Sequence, residues 1–452
     1  MTRFKHALLT TAALGALAFA TPVLAQDGQQ RTIMSLSDAV GIGVMTNPEY
    51  GAAAASRRAT DEELNQAEAL YLPSIDMNAD TGFEYTDDPG TRGGTDEDED
   101  ESLYRYEAGL TLTQLLFDGY ETKYEVERQE NRIESASHRV RETAEFVGLD
   151  IVESYLDVLR QRELVRIARD NIQAHIDIMN QIEDGLAAGR ATRADIEQAR
   201  ARLANAEATE ASAREALRIA EAQFNREVGE MPKNLMMPQV PVEKLSQSVD
   251  VQVERALAFS PTLDVREADI EVADAEFNGT QSTFYPQVDL QLNARQGHDL
   301  GGVEGRDRSA SALVVMNWNL YRGGADMARS REFIHRIQQA KEERADAARA
   351  VEDDVRRTWA GMVAASERAR SFANQVEANR QVVEAYRDQF DLNRRTLLDV
   401  LDAQNELFVS RTNTVNSNFV EMIAVYRLLA INGELMPSLQ VEYPRESNVA
   451  AM

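Results

Sequence analysis

The chain carries one unit twice. Residues 393–404 read NRRTLLDVLDAQ, and residues 189–200 read GRATRADIEQAR. Arg190 answers Arg394, Thr192 answers Thr396, Asp195 answers Asp399 and Ala199 answers Ala403, each 204 positions apart. Phe117-Asp118-Gly119 answers Tyr321-Arg322-Gly323, Tyr155 answers Trp359 and Gly229 answers Gly433 at the same spacing. Nearer the N-terminus the spacing is 213: Asn47-Pro48 answers Ser260-Pro261, and Tyr71-Leu72-Pro73 answers Phe284-Tyr285-Pro286. The change of nine falls between Pro73 and Asp118, where the first copy holds extra acidic residues. Repeats of this kind specify the architecture before any single residue does. They divide the chain into a leader (1–25), an N-terminal linker (26–36), a first repeat (37–229), a linker with Pro232, Pro238 and Pro241 (230–250), a second repeat (251–433) and a tail (434–452).

Each repeat reads as helix, two strands, a very long helix, a turn and a return helix. The first helix is expected over Leu36–Tyr71 with a kink at Pro48, and Pro73 stops it. Alternation follows. Ile75, Met77, Ala79, Phe83 and Tyr85 oppose Asp76, Asn78, Asp80 and Glu84. Tyr104, Tyr106, Ala108, Leu110 and Leu112 oppose Arg105, Glu107, Gly109, Thr111 and Thr113. In the second copy Val288, Leu290, Leu292 and Ala294 alternate with Gln287, Asp289, Gln291 and Asn293, and a less regular strand is expected over 309–320. Period-two patterning of this length gives a sheet with one apolar face. Such a sheet is either half-buried in a soluble protein or part of a membrane barrel with lipid outside and water inside.

No proline interrupts 121–186 or 324–393. Helices of that length would run about 100 Å, far beyond the width of a compact domain. The return helices carry three-four spacing of small and apolar residues: Ile196, Ala199, Leu203, Ala206, Ala213, Leu217, Ala220 and Phe224, interrupted at Glu210; then Val400, Ala403, Leu407, Ser410, Thr414, Ser417, Ala424 and Leu428, interrupted at Glu421. This is a coiled-coil seam. The long helices have wider apolar faces, as a helix in a closed palisade requires.

Arg3 and Lys5, the apolar run Ala7–Ala20, Pro22 and the small-residue ending Val23-Leu24-Ala25 form a secretion leader, so the mature chain is expected to start near Gln26. No later stretch has the roughly 18 apolar residues of a membrane helix, so insertion in a membrane would be by strands. Four strands cannot close a barrel, and that reading then requires several copies of the chain. A net charge of −28 with no basic stripe argues against nucleic acid. The absence of cysteine removes disulfides, thiol catalysis and cysteine-held metals. His6, His138, His175, His298 and His335 show no metal or catalytic spacing, and the lone Gly-x-Gly of GIGVMTNP follows no strand. No cofactor or enzymatic activity is indicated. The acidic run Asp96–Glu101 reads as a solvated loop, with calcium binding as the other reading. Trp318, Tyr321, Tyr104 and Tyr106 suit either interfacial girdles or packing.

The duplicated helix-hairpin-helix units, Tyr71-Leu72-Pro73, Phe284-Tyr285-Pro286, LLFDG, NLYRGG and RRTLLDVLDAQNEL resemble the TolC family of outer-membrane export channels, type I secretion components most of all. The resemblance spans nearly all of the mature chain. It implies a mainly α fold with a β-barrel part: a homotrimer whose twelve-stranded outer-membrane barrel (four strands per chain) continues as an α-helical coiled-coil barrel across the periplasm. It implies partners too, a periplasmic adaptor and an inner-membrane ABC transporter or other pump, with outer-membrane lipid around the barrel. Asp399 and Asp402 match the aspartates that line the closed periplasmic entrance; a solvated helix start with its usual acids is the other reading of that pair. Arg395 and Asp195 match two members of the entrance latch. Their partner positions fall on Ala194 and Phe390, which cannot complete the same links. The hairpin tips, Gly189, Arg190 and Thr192 with Asn393, Arg394 and Thr396, would meet the adaptor. The function implied is a passive duct for type I protein secretion. A small-molecule efflux duct and a soluble periplasmic coiled-coil scaffold are the alternatives.

Overall fold

The computed structural model describes residues 33–87, 101–392 and 394–449. The leader, most of the N-terminal linker, residues 96–100 of the acidic run and Asn393 lie outside the described residues. A short strand β1 (Ile33–Met34) precedes helices α1 (Leu36–Thr46) and α2 (Pro48–Ala69). Strands β2 (Ser74–Thr86) and β3 (Glu101–Phe117) then lead to the long helix α3 (Glu121–Ala187) and its return α4 (Arg193–Val228). A two-residue strand β4 (Asn234–Leu235) lies in the linker and pairs in parallel with β1. The order then recurs as α5 (Val249–Phe259), α6 (Pro261–Thr280), β5 (Gln287–Leu300), β6 (Val303–Asn317), α7 (Ala325–Asp391) and α8 (Leu397–Ile431). A last short helix, α9 (Leu435–Ser438), opens the tail. No helix among the described residues is long and apolar enough to cross a membrane.

The expected kink at Pro48 is a break instead. Asn47 is extended (φ −68°, ψ 127°), ends α1 and begins α2, where its side chain accepts the Glu49 N–H at 2.8 Å. Proline at the first helical position needs no N–H, so it starts a new helix rather than bending an old one. Ser260-Pro261 makes a junction of the same backbone shape between α5 and α6, without the side-chain cap. The fourth strand also begins earlier than expected, at Val303, because a tight Gly301-Gly302 turn with positive φ at both glycines folds it straight back on β5.

The four long strands form one antiparallel sheet in the order β2-β3-β5-β6, leaving β2 and β6 as edges. Sheet and helices join through Asp118 and Gly119. The Asp118 carboxylate accepts the Thr122 N–H at 2.7 Å and so caps α3. Gly119 has φ +70°, and a Cβ there would meet the Ser282 carbonyl oxygen at 2.8 Å. Both constraints demand glycine.

The main core lies at mid-height of α3, where α1, α4, α8 and the tail converge. Tyr155, Phe224, Tyr426, Leu429 and Leu435 are fully buried there. The Tyr155 hydroxyl lies 2.9 Å from the Met34 carbonyl and 2.6 Å from the Met236 carbonyl, and it accepts the Met236 N–H at 2.9 Å. One phenol thus fastens both the N-terminal segment and the linker. The seam of α4 packs as its spacing requires, with Ala199, Ala206, Ala220 and Phe224 buried. Glu210, which breaks the pattern, is buried too. It is held by Arg169 of α3 at 3.1 Å and by Arg214 at 2.7 Å.

The tail is held by a buried acid. Glu145 of α3 is fully buried and accepts the N–H groups of Leu435 (3.0 Å) and Met436 (3.3 Å) and the Tyr443 hydroxyl. Burial outweighs these bonds and pushes its carboxyl up to about 7. The folded chain therefore keeps a proton that the unfolded chain, with an ordinary value of 4.5, releases. This contribution to stability is complete below the unfolded value and is lost as pH rises through about 7. The thermal midpoint of the native protein should fall more steeply between about pH 5 and pH 8 than that of Glu145→Gln, whose amide does not titrate. Parallel curves in a pH-stepped thermal melt would show that Glu145 keeps an ordinary carboxyl.

Candidate functional site

Two regions have geometry that ordinary packing does not explain: the sheet and the helical tips. Register assigns the sheet's faces. Asp80 lies opposite Glu107, Glu107 opposite Gly297 and Gly297 opposite Asp307, all on one face. Met77, Leu110, Ala294 and Ala310 form a row of the other. The exposure of the two faces is inverted relative to a soluble sheet. Phe83 is 87% exposed, Met77 72% and Val314 67%, whereas the Glu107 side chain is 15% exposed. The charges of this face pair with one another. Arg105 reaches Asp80 and Glu107 at 2.7 Å and Glu84 at 3.3 Å, and Arg295 reaches Glu107 and Asp307 at 3.4 Å. A sheet that turns its aromatics outward and shelters its ions is arranged for lipid outside and water inside. Phe83, Tyr85, Tyr104 and Tyr106 are exposed at the end far from the helices; Trp318 and Tyr321 are exposed at the near end.

The tips lie at the opposite end of the molecule. Both turns close alike: the Arg190 N–H donates to the Gly185 carbonyl at 2.7 Å, and the Arg394 N–H to the Gln389 carbonyl at 2.8 Å. Gly189 takes φ +73° with open space around it. Each return helix then starts with a reciprocal cap. Thr192 and Asp195 bond side chain to backbone in both directions, and Thr396 and Asp399 repeat this. The T-x-x-D spacing is the signal for such a cap. Thr192 and Thr396, expected at the adaptor contact, therefore also hold the helix starts. The Thr396 hydroxyl donates to Asp399 at 2.7 Å, and with the Thr396 N–H and nearby Arg395 it holds that carboxyl below its ordinary range.

The two tips meet through Ile178, Ile182, Ala199, Leu397, Val400 and Leu401, with Phe390 and Tyr386 against them. Phe390 and Asp195 have different tasks, since the phenyl ring packs in this apolar cluster while the carboxylate caps α4. Arg395 stacks over the Tyr386 ring at 4.1 Å and donates to Gln389 at 3.0 Å. Asp402 is engaged by Arg202 of α4 at 3.1 Å, which joins the two tips within one chain. Sequence reading missed Arg202, Tyr386 and Gln389. Tyr386 lies one turn before Phe390, so helical spacing carried a signal for it; the partner of Arg202 lies on another helix, which spacing within α4 does not show. Above them His175 is buried, and burial with nearby Arg202 and Arg387 lowers its pKa. Among the described residues Arg190 and Arg394 make no ion pair.

One family profile, described as outer membrane efflux protein, matches the chain over residues 45–230 and again over 253–433. The chain belongs to this family. Its outer membrane efflux channel fold places the sheet in the outer membrane and the helical tunnel in the periplasm. The fold is that of a channel. The efflux protein BepC of Brucella suis is 26% identical over 415 residues, 90% of this chain and 87% of its own. The alkaline protease secretion protein AprF of Pseudomonas aeruginosa is 24% identical, covering 89% and 85% of the two chains. A crystal structure of CusC superposes with a TM-score of 0.75 at 14% identity, over 88% of this chain and 91% of that one.

Proposed function

We propose that this efflux protein is the passive outer-membrane duct of a type I protein secretion system and assembles as a homotrimer. One observation supports assembly above others. Helices α3 and α7 are both 67 residues long and occupy matching places in the two repeats. Helix α3 is buried on nearly every turn, whereas in α7 only Val351, Val355, Ala365, Ala369 and Val383 are buried. Met327, Ile334, Val363 and Val382 stand exposed along it, and Ile219 stands exposed on α4. A neighbouring chain that lays its α2 and α4 along α7 gives α7 the two flanks that α3 already has. The same step pairs β6 with the neighbour's β2. Such a contact joins two different surfaces and closes as a ring.

Energy for transport then comes from an inner-membrane ABC transporter, coupled through a periplasmic adaptor. Arg190 and Arg394, which make no ion pair among the described residues and stand at the tips farthest from the sheet, are the adaptor's contact. Similarity to AprF, an alkaline protease secretion protein, favours protein cargo; similarity to BepC, an efflux protein, supports the second reading, an efflux duct for small molecules. Loss of the gene should abolish secretion of a large polypeptide and leave drug susceptibility unchanged. Secretion intact with susceptibility raised would establish the second reading.

Asp399 and Asp402 would ring the entrance, six carboxylates in a trimer. Crowded like charges draw in cations. Single-channel recording should show cation preference and block by multivalent cations, and Asp399→Ala with Asp402→Ala should weaken both. Arg202→Ala, which frees Asp402 from its ion pair, should strengthen both. Wild-type selectivity in all variants would leave these aspartates as helix-start charges.

A further inference from the structure

Four arginines stand on the long strands, and they divide by face. Arg105 and Arg295 lie on the sheltered polar face, each between carboxylates. Arg306 and Arg308 lie on the other face, opposite His298 and Gln296 of β5. Both are exposed, and among the described residues neither has a carboxylate within ion-pair distance. The next rows toward the helices are apolar: Leu110, Ala294 and Ala310, then Leu112, Leu292 and Ala312. Arg308 therefore stands at the upper boundary of the apolar band, and Arg306 one pleat above it. Tyr106 and His298 stack beside Arg306 with their rings 5.4 Å apart. His298 itself contacts Asp299 in the hairpin at 2.7 Å.

The helical tunnel points into the periplasm, so this end of the sheet meets the outer leaflet. A guanidinium at the rim of hydrocarbon, without a protein counter-ion, requires an anion at headgroup depth. Its planar fork fits phosphate, and the adjoining tyrosine gives an acyl chain or sugar a flat wall. The chain as a whole is strongly acidic, with net charge −28, so general attraction does not explain two arginines at this level that have no ion pair among the described residues.

We infer that Arg306 and Arg308, flanked by the Tyr106–His298 stack, form a seat on the barrel's outer wall for the phosphates of an outer-leaflet glycolipid. The inference rests on the apolar face being the lipid-facing one. The test is native mass spectrometry of the detergent-purified oligomer, titrated with bisphosphorylated lipid A and with the same lipid after removal of its phosphates. The native protein should bind the phosphorylated form about tenfold more tightly. Arg306→Gln with Arg308→Gln should bring the two lipids level, and Arg306→Lys with Arg308→Lys should retain a preference. Equal binding of both lipids by the native protein overturns the seat without recourse to a variant. Displacement of the bound lipid by excess inorganic phosphate overturns the lipid as occupant. Either result in a protein recovered from the outer membrane leaves the duct standing, whereas recovery of a soluble monomer would remove the duct itself.

Discussion

The structure depends on what happens at two strand edges. Within one chain β2 and β6 each have a neighbour on one side only. Every second backbone N–H and C=O along an open edge lacks a partner, and in hydrocarbon each such group costs several kcal/mol. The outward face of the same sheet carries Phe83, Met77 and Val314, so water on that face is no better. Edge and face together call for a closed wall in lipid. Closing it with copies of the chain brings α7 against a neighbour, and the sparse burial of α7 is what a helix awaiting that neighbour shows.

The sheet and the tunnel meet different solvents, and the chain meets each with different chemistry. In the sheet, the ion pairs of Arg105 and Arg295 with acids share one face. In the helices, shelter goes to small and apolar residues that allow close approach. At mid-height of α3, single polar groups in apolar surroundings, the Tyr155 hydroxyl and the Glu145 carboxyl, fasten the linker and the tail to the first repeat. Each gathers segments far apart in sequence: the Tyr155 hydroxyl bonds backbone groups of Met34 and Met236, and Glu145 accepts the Leu435 and Met436 N–H groups and the Tyr443 hydroxyl. Such bonds are costly to leave unmade, which gives the linker and the tail fixed positions.

Much of this was legible in the sequence because it repeats. Period two over Ile75–Tyr85 and Tyr104–Leu112, and long proline-free stretches, are local signals that need no tertiary knowledge. A proline inside a helical pattern permits a kink or a break; the extended backbone of Asn47, and of Ser260 in the second copy, makes both junctions breaks. Glu210 read as an interruption because its partner, Arg169, lies on another helix. The tips were legible in position but less so in role. T-x-x-D at 192 and 396 is a capping signal, yet resemblance drew attention to Asp399 as a pore residue and away from its bond to Thr396. The Arg202–Asp402 pair joins two helices some two hundred residues apart, and spacing within either helix could not reveal it. The faces of Arg306 and Arg308 became clear only with the register of β6 on β5.

The most direct test of a shared barrel uses the absence of cysteine from the native chain. One cysteine replaces Met77 on β2, and a second is moved along β6 through Ala310, Ala312 and Val314, on the same face. Within one chain β2 and β6 are three strand spacings apart, about 14 Å, beyond the roughly 7 Å between Cα atoms that a disulfide allows. Mild oxidation in native outer membranes should therefore give covalent dimers and trimers on a denaturing gel, ending at three, for at least one position. Monomers alone at every position, or a ladder that continues past three, would contradict the account.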